Sequence, residues 1–358
     1  MPTTTDPSRA ASFAASILEA SSRSLAAFAA RDLLDEQPEI AQRFSPGAEA
    51  AWQSHFAQRL LELAAALDLG IPRLFASRME WSARAFRSRD LEPSDLATAF
   101  ESLAKVLREE VPEPGRAALE EYLAAGAAAV RNPSDDESAL DPGKANDTLA
   151  LEYLLTVLEG DPQGATRKVV AAVDGGLSIA EAYLQVLVPA QREVGRMWHR
   201  GELGISEEHL TTATTRRVMS ILAERATPEA SNGKTLVAAA VAGNAHGLGI
   251  RIVSDFFAMA GWRALCLGAD LPPAELADAV RYFGADLVVL SATLSTQLRT
   301  VRETIEHVRQ LGEPNPKILV GGMAFHDAPD LWKDLGADGT TFDAAAVELG
   351  GQLVGLSN

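Results

Sequence analysis

The sequence predicts a multidomain α and α/β protein: an N-terminal all-helical domain, a four-helix bundle, and a C-terminal Rossmann-like domain built on a doubly wound parallel sheet. Three observations lead there. Apolar residues recur at helical spacing from Ser12 to about Val130 with no competing alternation. A second helical block, from about Asn146 to Ala226, is broken only at short polar turns. After Ser231-Asn232-Gly233 the pattern changes to short continuous apolar runs separated by longer amphipathic ones.

The elements follow in chain order. Phe56, Leu60, Leu61, Leu63 and Leu67 typify the helical stripe of residues 1–131. The polar, breaker-rich run Asn132-Pro133-Ser134-Asp135-Asp136-Glu137-Ser138, continuing through Asp141-Pro142-Gly143, marks a linker over 132–145. In residues 146–228, breaks at Gly160-Asp161-Pro162, Asp174-Gly175-Gly176 and Arg200-Gly201-Glu202-Leu203-Gly204 divide the block into four helices of bundle length. Across 229–358, strands are expected at Thr235–Val241, Ala264–Leu267, Leu287–Leu290 and Ile318–Val320, with helices near Ile250–Met259, Pro273–Phe283, Leu298–Leu311 and Ala328–Leu335. Continuous apolar strands alternating with helices indicate a parallel sheet buried on both faces. Ligands of such sheets sit beyond the carboxyl ends of the strands, where His246, Ser291 and Gly321-Gly322 fall.

A formal charge of −17 has the wrong sign for direct nucleic-acid binding, which draws on Lys and Arg to neutralise phosphates. The acidity reads as solubility. No stretch approaches the roughly 18 apolar residues of a membrane span. Met1 to Arg9 lack the basic start and apolar run of a signal peptide, so a ragged N-terminus and a cytoplasmic location are expected. The single cysteine, Cys266, excludes an intrachain disulfide and a Cys-rich metal site, and it falls in an expected buried strand.

The stretch Gly243-Asn244-Ala245-His246-Gly247-Leu248-Gly249 puts a histidine on the loop after the first apolar strand. A neutral imidazole there can ligate a metal beyond the sheet, and the side-chain oxygen of Asn244 is placed to hold its other ring nitrogen. The glycines let a bulky ring approach the backbone. Ser291-Ala292-Thr293 and Gly321-Gly322, at neighbouring strand ends, are suited to line a slot for a planar group. In the bundle, Trp198-His199 should end one helix and Ser206 should cap the next, which brings Trp198, His199, Glu208 and His209 to one helix–turn–helix corner. Each feature also has a plain structural reading: a solvated loop histidine, routine strand-to-helix turns, a core tryptophan, a glutamate favoured at a helix N-terminus. Taken together they are the arrangement needed to enclose a flat metal macrocycle. No G-x-G-x-x-G follows the first strand and no P-loop is present, so the usual phosphate cradles are missing.

Across residues 146–358 these motifs resemble the cobalamin-binding module of B12-dependent light receptors. The family's D-x-H-x-x-G is matched as Asn244-Ala245-His246-Gly247-Leu248-Gly249, with Asn in place of Asp, and its W-x9-E-H signature is matched in full by Trp198, Glu208 and His209. The resemblance implies adenosylcobalamin as cofactor, His246 replacing the dimethylbenzimidazole as lower cobalt ligand, and that base entering the slot of Ser291, Thr293, Gly321 and Gly322. It implies Trp198, Ile205, Glu208 and His209 around the adenosyl group, Asn244, Gly247, Leu248 and Gly249 beneath the ring, and His199 as upper cobalt ligand after photolysis. A light sensor rather than a catalyst follows from it: photolysis of the cobalt–carbon bond changes conformation and quaternary structure. The partners would be copies of the chain itself, in a light-dependent homo-oligomer, and a downstream protein that the sequence does not identify. The alternative class is a corrinoid-dependent methyltransferase carrier or a B12-dependent mutase subunit, which needs the same histidine but an open upper face.

The run Trp81-Ser82-Ala83-Arg84-Ala85-Phe86-Arg87-Ser88-Arg89, with Leu96 to Val111, resembles non-haem sensor globins, and a helical domain ahead of a B12 module resembles the photocobilins, which use B12 and biliverdin together. Biliverdin would be held noncovalently, since Cys266 lies far away in sequence. Arg73, Arg78, Arg84, Arg87 and Arg89 are candidates for its propionates, Trp52, Phe56, Phe75 and Trp81 for ring stacking, and His55 for a pyrrole partner. A solvated basic helix face over an aromatic core is the ordinary alternative.

Overall fold

The computed structural model describes residues 7–88, 91–134, 137–312, 315–342 and 344–356; Arg89, the linker residues Asp135 and Asp136 and most of the expected ragged N-terminus lie outside the described residues. The chain divides into two compact units, Met1–Asp135 and Asp136–Asn358.

The first unit contains α1 (Pro7–Glu36), α2 (Pro38–Arg43), α3 (Ala48–Leu69), α4 (Pro72–Ser88), α5 (Pro93–Glu110) and α6 (Gly115–Arg131). Proline opens α2 and α5, where a missing N–H leaves no bond unmade. α1 packs along α3 and α4 along α6, around Leu18, Leu33, Trp52, Phe56, Leu60, Leu63 and Phe75, all buried. Arg59 and Glu62 of α3 are buried among them.

The second unit begins with the bundle. α7 (Ala145–Leu158) and α8 (Pro162–Asp174) are followed by a third helix in three sections, α9 (Ile179–Glu181), a π turn (Ala182–Leu187) and α10 (Val188–His199), and then by α11 (Ile205–Arg225). Asp161 caps α8 by accepting from the Gly164 N–H, and Ser178 with Glu181 forms a capping box on α9. The π turn has a local cause in Pro189, which donates no N–H and whose ring would crowd the carbonyl four residues back in a regular helix.

The α/β part runs β1 (Thr235–Val241), α12 (Leu248–Met259), β2 (Arg263–Leu271), α13 (Pro273–Phe283), β3 (Leu287–Ser291), α14 (Leu298–Arg309), β4 (Lys317–Gly321), α15 (Leu331–Asp334), β5 (Gly339–Thr340) and α16 (Ala345–Leu353). All pairings are parallel, in the order β2-β1-β3-β4-β5. α12 and α16 pack on Leu236, Ala238, Leu287, Val289 and Leu319 of one face. The bundle core of Tyr153, Val157, Tyr183, Val218 and Met219 is continuous with Ile252 and Phe256 of α12, so α12 is shared between bundle and sheet.

Three details differ from the sequence expectation. β2 is a half-buried edge strand, longer than expected, and Cys266 on it is half-buried, with desolvation raising its thiol pKa above the ordinary value. β5 and α16 were not anticipated, the strand being two residues long and carrying no periodic signal. The helix expected over 328–335 contracts to α15.

Candidate functional site

In the order β2-β1-β3-β4-β5 the chain reverses direction across the sheet between β1 and β3, and the crevice beyond their carboxyl ends is where such sheets bind ligands. The loop after β1 carries Asn244 and His246. Asn244 is fully buried and spans the crevice, its Nδ2 donating to the Ser291 carbonyl at 3.0 Å. Its Oδ1 lies 3.1 Å from His246 Nδ1 and also accepts from the His246 N–H at 3.1 Å. An acceptor on Nδ1 fixes the proton there, which leaves Nε2 with a lone pair directed away from the loop. His246 itself is exposed.

Two side chains that sequence reasoning missed hold this loop. Gln297 accepts from the Thr293 and Leu294 N–H groups at 2.8 and 3.0 Å and donates to the Gly243 carbonyl at 2.8 Å, tying the loop after β3 to the loop after β1. Asp270, at the end of β2, accepts from the Gly243 N–H at 2.7 Å, and its own N–H donates to the Asn244 carbonyl. Neither belongs to a recognisable motif, because each acts on backbone groups that only the fold brings near.

Opposite His246, the α10–α11 corner supplies the other wall. A cavity of about 720 Å³ is lined by Trp198, Ile205, Glu208 and His209 from that corner and by His246, Gly247, Leu248 and Gly249 from the β1 loop. Gln191, Thr212 and Arg216, none singled out in the sequence, line it too. The volume is within the range of small-molecule sites, about 300–1,000 Å³. Trp198 is 39% exposed and Ile205 64%, so a large apolar surface is left facing the cavity. Glu208 lies in the first turn of α11, where a carboxylate is favoured, and the helix is capped by Gly204 rather than by Ser206, which stands one position inside it.

Other expected site residues are placed differently. His199 is buried, 5% exposed, and does not line the cavity: one residue on from Trp198, it projects about 100° around the helix and faces inward. Ser291, Thr293, Gly321 and Gly322 also lie outside the cavity lining. The two glycines are required by the chain itself. A Cβ on Gly321 would collide with the Thr341 carbonyl oxygen, and one on Gly322, at φ +99°, with the Ala292 carbonyl oxygen. The buried hydroxyls of Ser295, Thr340 and Thr341, by contrast, have no hydrogen-bond partner among the described residues. They flank the end of β4 on its two sides.

In the first unit Trp52 and Phe56 are core residues, with Trp52 ringed by Phe44, His55, Phe56 and Phe86 at centroid distances of 5.2 to 6.0 Å and its Nε1 unpaired among the described residues. Arg78 donates to the buried Glu62 at 3.2 Å and stacks on Trp81 at 4.7 Å. Arg84 reaches Ser134 weakly at 3.4 Å, and its buried Nε has no partner among the described residues. Sequence reading missed Arg59, which pairs with Glu62 at 2.8 Å and donates to Ser82. Burial, then the charge of Arg59, pushes the His55 imidazole down to about 3.

Among the described residues no cluster of three or more His, Cys, Asp or Glu side chains is placed to hold a bare metal ion. A single imidazole such as His246 can complete the coordination of a metal that arrives ringed by its own ligands. Comparison with known proteins agrees: residues 149–223 and residues 234–349 each match a family model described as a B12 binding domain. The second unit carries a cobalamin-binding module. A corrinoid protein of Desulfitobacterium hafniense (strain Y51) is 27% identical over 211 residues, covering 57% of this chain and 96% of that protein. A dimethylamine corrinoid protein of Methanosarcina barkeri is 29% identical over 176 residues, 48% of this chain and 80% of that protein. Among solved structures, the monomethylamine corrinoid protein of Methanosarcina barkeri superposes with a TM-score of 0.50 at 20% identity, over 57% of this chain and 98% of that one, a likeness of fold.

The residues present fit the cofactor. His246 would hold cobalt through Nε2, and the cavity that it shares with Trp198, Ile205 and Glu208 would take the cofactor. No described helix is long and apolar enough to cross a membrane.

Proposed function

We propose that this chain is a light sensor that holds adenosylcobalamin base-off, with His246 below and Trp198 above. The observation that carries the reading is a single cavity walled by His246 on one side and by Trp198, Ile205 and Glu208 on the other. When bound, the cofactor supplies a cobalt–carbon bond that light can break. The chain's own residues exclude water from the upper face, accept hydrogen bonds from the axial group through Glu208, and hold His246 in one tautomer through Asn244. With the axial group gone, Trp198 would lose what it packs against. His199 would reach the cavity only if α10 turned or unwound at its end, a discrete rearrangement of the kind that changes quaternary structure. Biliverdin in the first unit, near Trp52, His55, Phe56, Trp81, Arg78 and Arg84, belongs to the same reading, as do the globin-like character of that unit, a light-dependent homo-oligomer, a downstream protein partner and a cytoplasmic location.

The second reading is a corrinoid carrier of a methyltransferase system, and the named relatives favour it over light sensing. The two differ at the upper face, which a carrier must open to its partner enzyme. Protein loaded with adenosylcobalamin in the dark, then given green light, should change its visible spectrum and its sedimentation profile, and Trp198→Ala should abolish selective retention of the adenosyl form. Unchanged sedimentation, together with equal retention of methylcobalamin and adenosylcobalamin by the parent protein, would overturn the light-sensor reading and leave the carrier.

A further inference from the structure

α11 carries four threonines in one stretch, and two behave unlike the others. Thr211 and Thr214 donate to the carbonyls four residues back, each at 2.8 Å, as helical threonines ordinarily do. Thr212 turns to its neighbours instead, with its hydroxyl 2.7 Å from Glu208 Oε1 and 3.3 Å from Gln191 Oε1. Thr215 accepts from Gln191 Nε2 at 2.8 Å and lies 2.8 Å from the hydroxyl of Tyr153, and both Thr215 and Tyr153 are fully buried. A hydrogen-bonded row thus runs from the cavity wall, through α11 and α10, to α7 in the bundle core.

Donor counting along this row assigns each group a role. Thr212 has one proton and two acceptors, and the shorter contact to a charged oxygen wins, so Glu208 Oε1 is occupied. Glu208 Oε2 makes only a loose contact with His209 Nε2, at 3.5 Å, and keeps lone-pair capacity for a ligand. Gln191 spends its amide N–H on Thr215, so its Oε1 is a second acceptor on the same wall. Two acceptors side by side, backed by a buried anchor, match a group that offers two hydroxyl donors. A methyl group offers none and would leave both unpaired.

We propose that Thr212 is a positioning residue for Glu208, and that Glu208 and Gln191 together select a cobalamin whose upper axial group carries adjacent hydroxyls, a nucleoside, over one carrying a methyl group. This rests on the adenosylcobalamin reading given above. The test is titration of the full chain in the dark with adenosylcobalamin and with methylcobalamin, followed by absorbance, for the parent, Thr212→Val, Thr212→Ser and Gln191→Leu. Thr212→Val should lower the preference for adenosylcobalamin about tenfold, entirely through that ligand, and Thr212→Ser should restore it; Gln191→Leu should lower it similarly. If the parent has no such preference, the adenosylcobalamin reading and this inference fail together. If the parent has it and Thr212→Val keeps it, or weakens both ligands equally, this inference alone is overturned.

Discussion

Asn244 departs from the D-x-H-x-x-G pattern at its first position, and placing aspartate there should harm this protein. Asn244 uses both ends of its amide: Oδ1 holds His246 and Nδ2 donates to the Ser291 carbonyl at 3.0 Å, in a site with no solvent exposure. Asn244→Asp removes that donor, a loss of about 1 kcal/mol, and sets a carboxylate oxygen against a carbonyl oxygen, which adds roughly 1–3 kcal/mol more. Burial and the facing Ser291 carbonyl disfavour the charge on the introduced carboxyl and outweigh the two His246 N–H donors that favour it, so its folded-state pKa should rise above the ordinary value. A raised pKa means the folded state binds a proton that the unfolded state has released, so the penalty is full at neutral pH and shrinks as pH falls into the carboxylate range. Amide hydrogen exchange in β1 and β3 reports the local opening free energy independently of the first unit. At pH 8 the variant's strand amides should exchange at least about thirtyfold faster than the parent's, with the ratio narrowing at pH 5. Equal protection at pH 8 would refute the assignment of Asn244 as the bridge across the crevice.

Two predictions concern the first unit. Glu62 is the buried counter-charge for Arg59 and Arg78, so Glu62→Gln should destabilise that unit by about 3–5 kcal/mol in urea unfolding followed by tryptophan fluorescence. His55, with its folded-state pKa depressed to about 3, stays neutral while the unfolded chain takes up a proton; stability should therefore fall as pH drops from about 6.5 toward 3, and His55→Gln should flatten that part of the pH profile.

The fold of the second unit was legible because β1, β3 and β4 are continuous apolar runs and the helices between them are strongly amphipathic. β5 escaped because two residues carry no pattern, and the half-burial of β2 escaped because an edge strand paired on one side can be as apolar as a central one. At the site, His246, Trp198 and Glu208 were readable, since each sits at an element's end marked by glycines and each lines the cavity. The slot was read from Ser291, Thr293 and the Gly321-Gly322 pair; the close approach of the Thr341 and Ala292 carbonyls that makes the two positions glycine appears only in the fold. Gln191, Thr212, Gln297 and Asp270 were invisible because their roles depend on partners far away in the sequence or across a helix face. His199 and Trp198 were read as neighbours with different roles, and helical geometry sends their side chains to different sides, His199 inward.

The claim on which the rest depends is that His246 Nε2 binds cobalt. Cob(II)alamin bound to protein labelled with nitrogen-15 in histidine alone decides it by electron paramagnetic resonance. Ligation by His246 should split each cobalt line into a doublet, and the doublet should vanish in His246→Ala. A triplet in the labelled parent, the mark of the cofactor's own unlabelled base, would contradict the account.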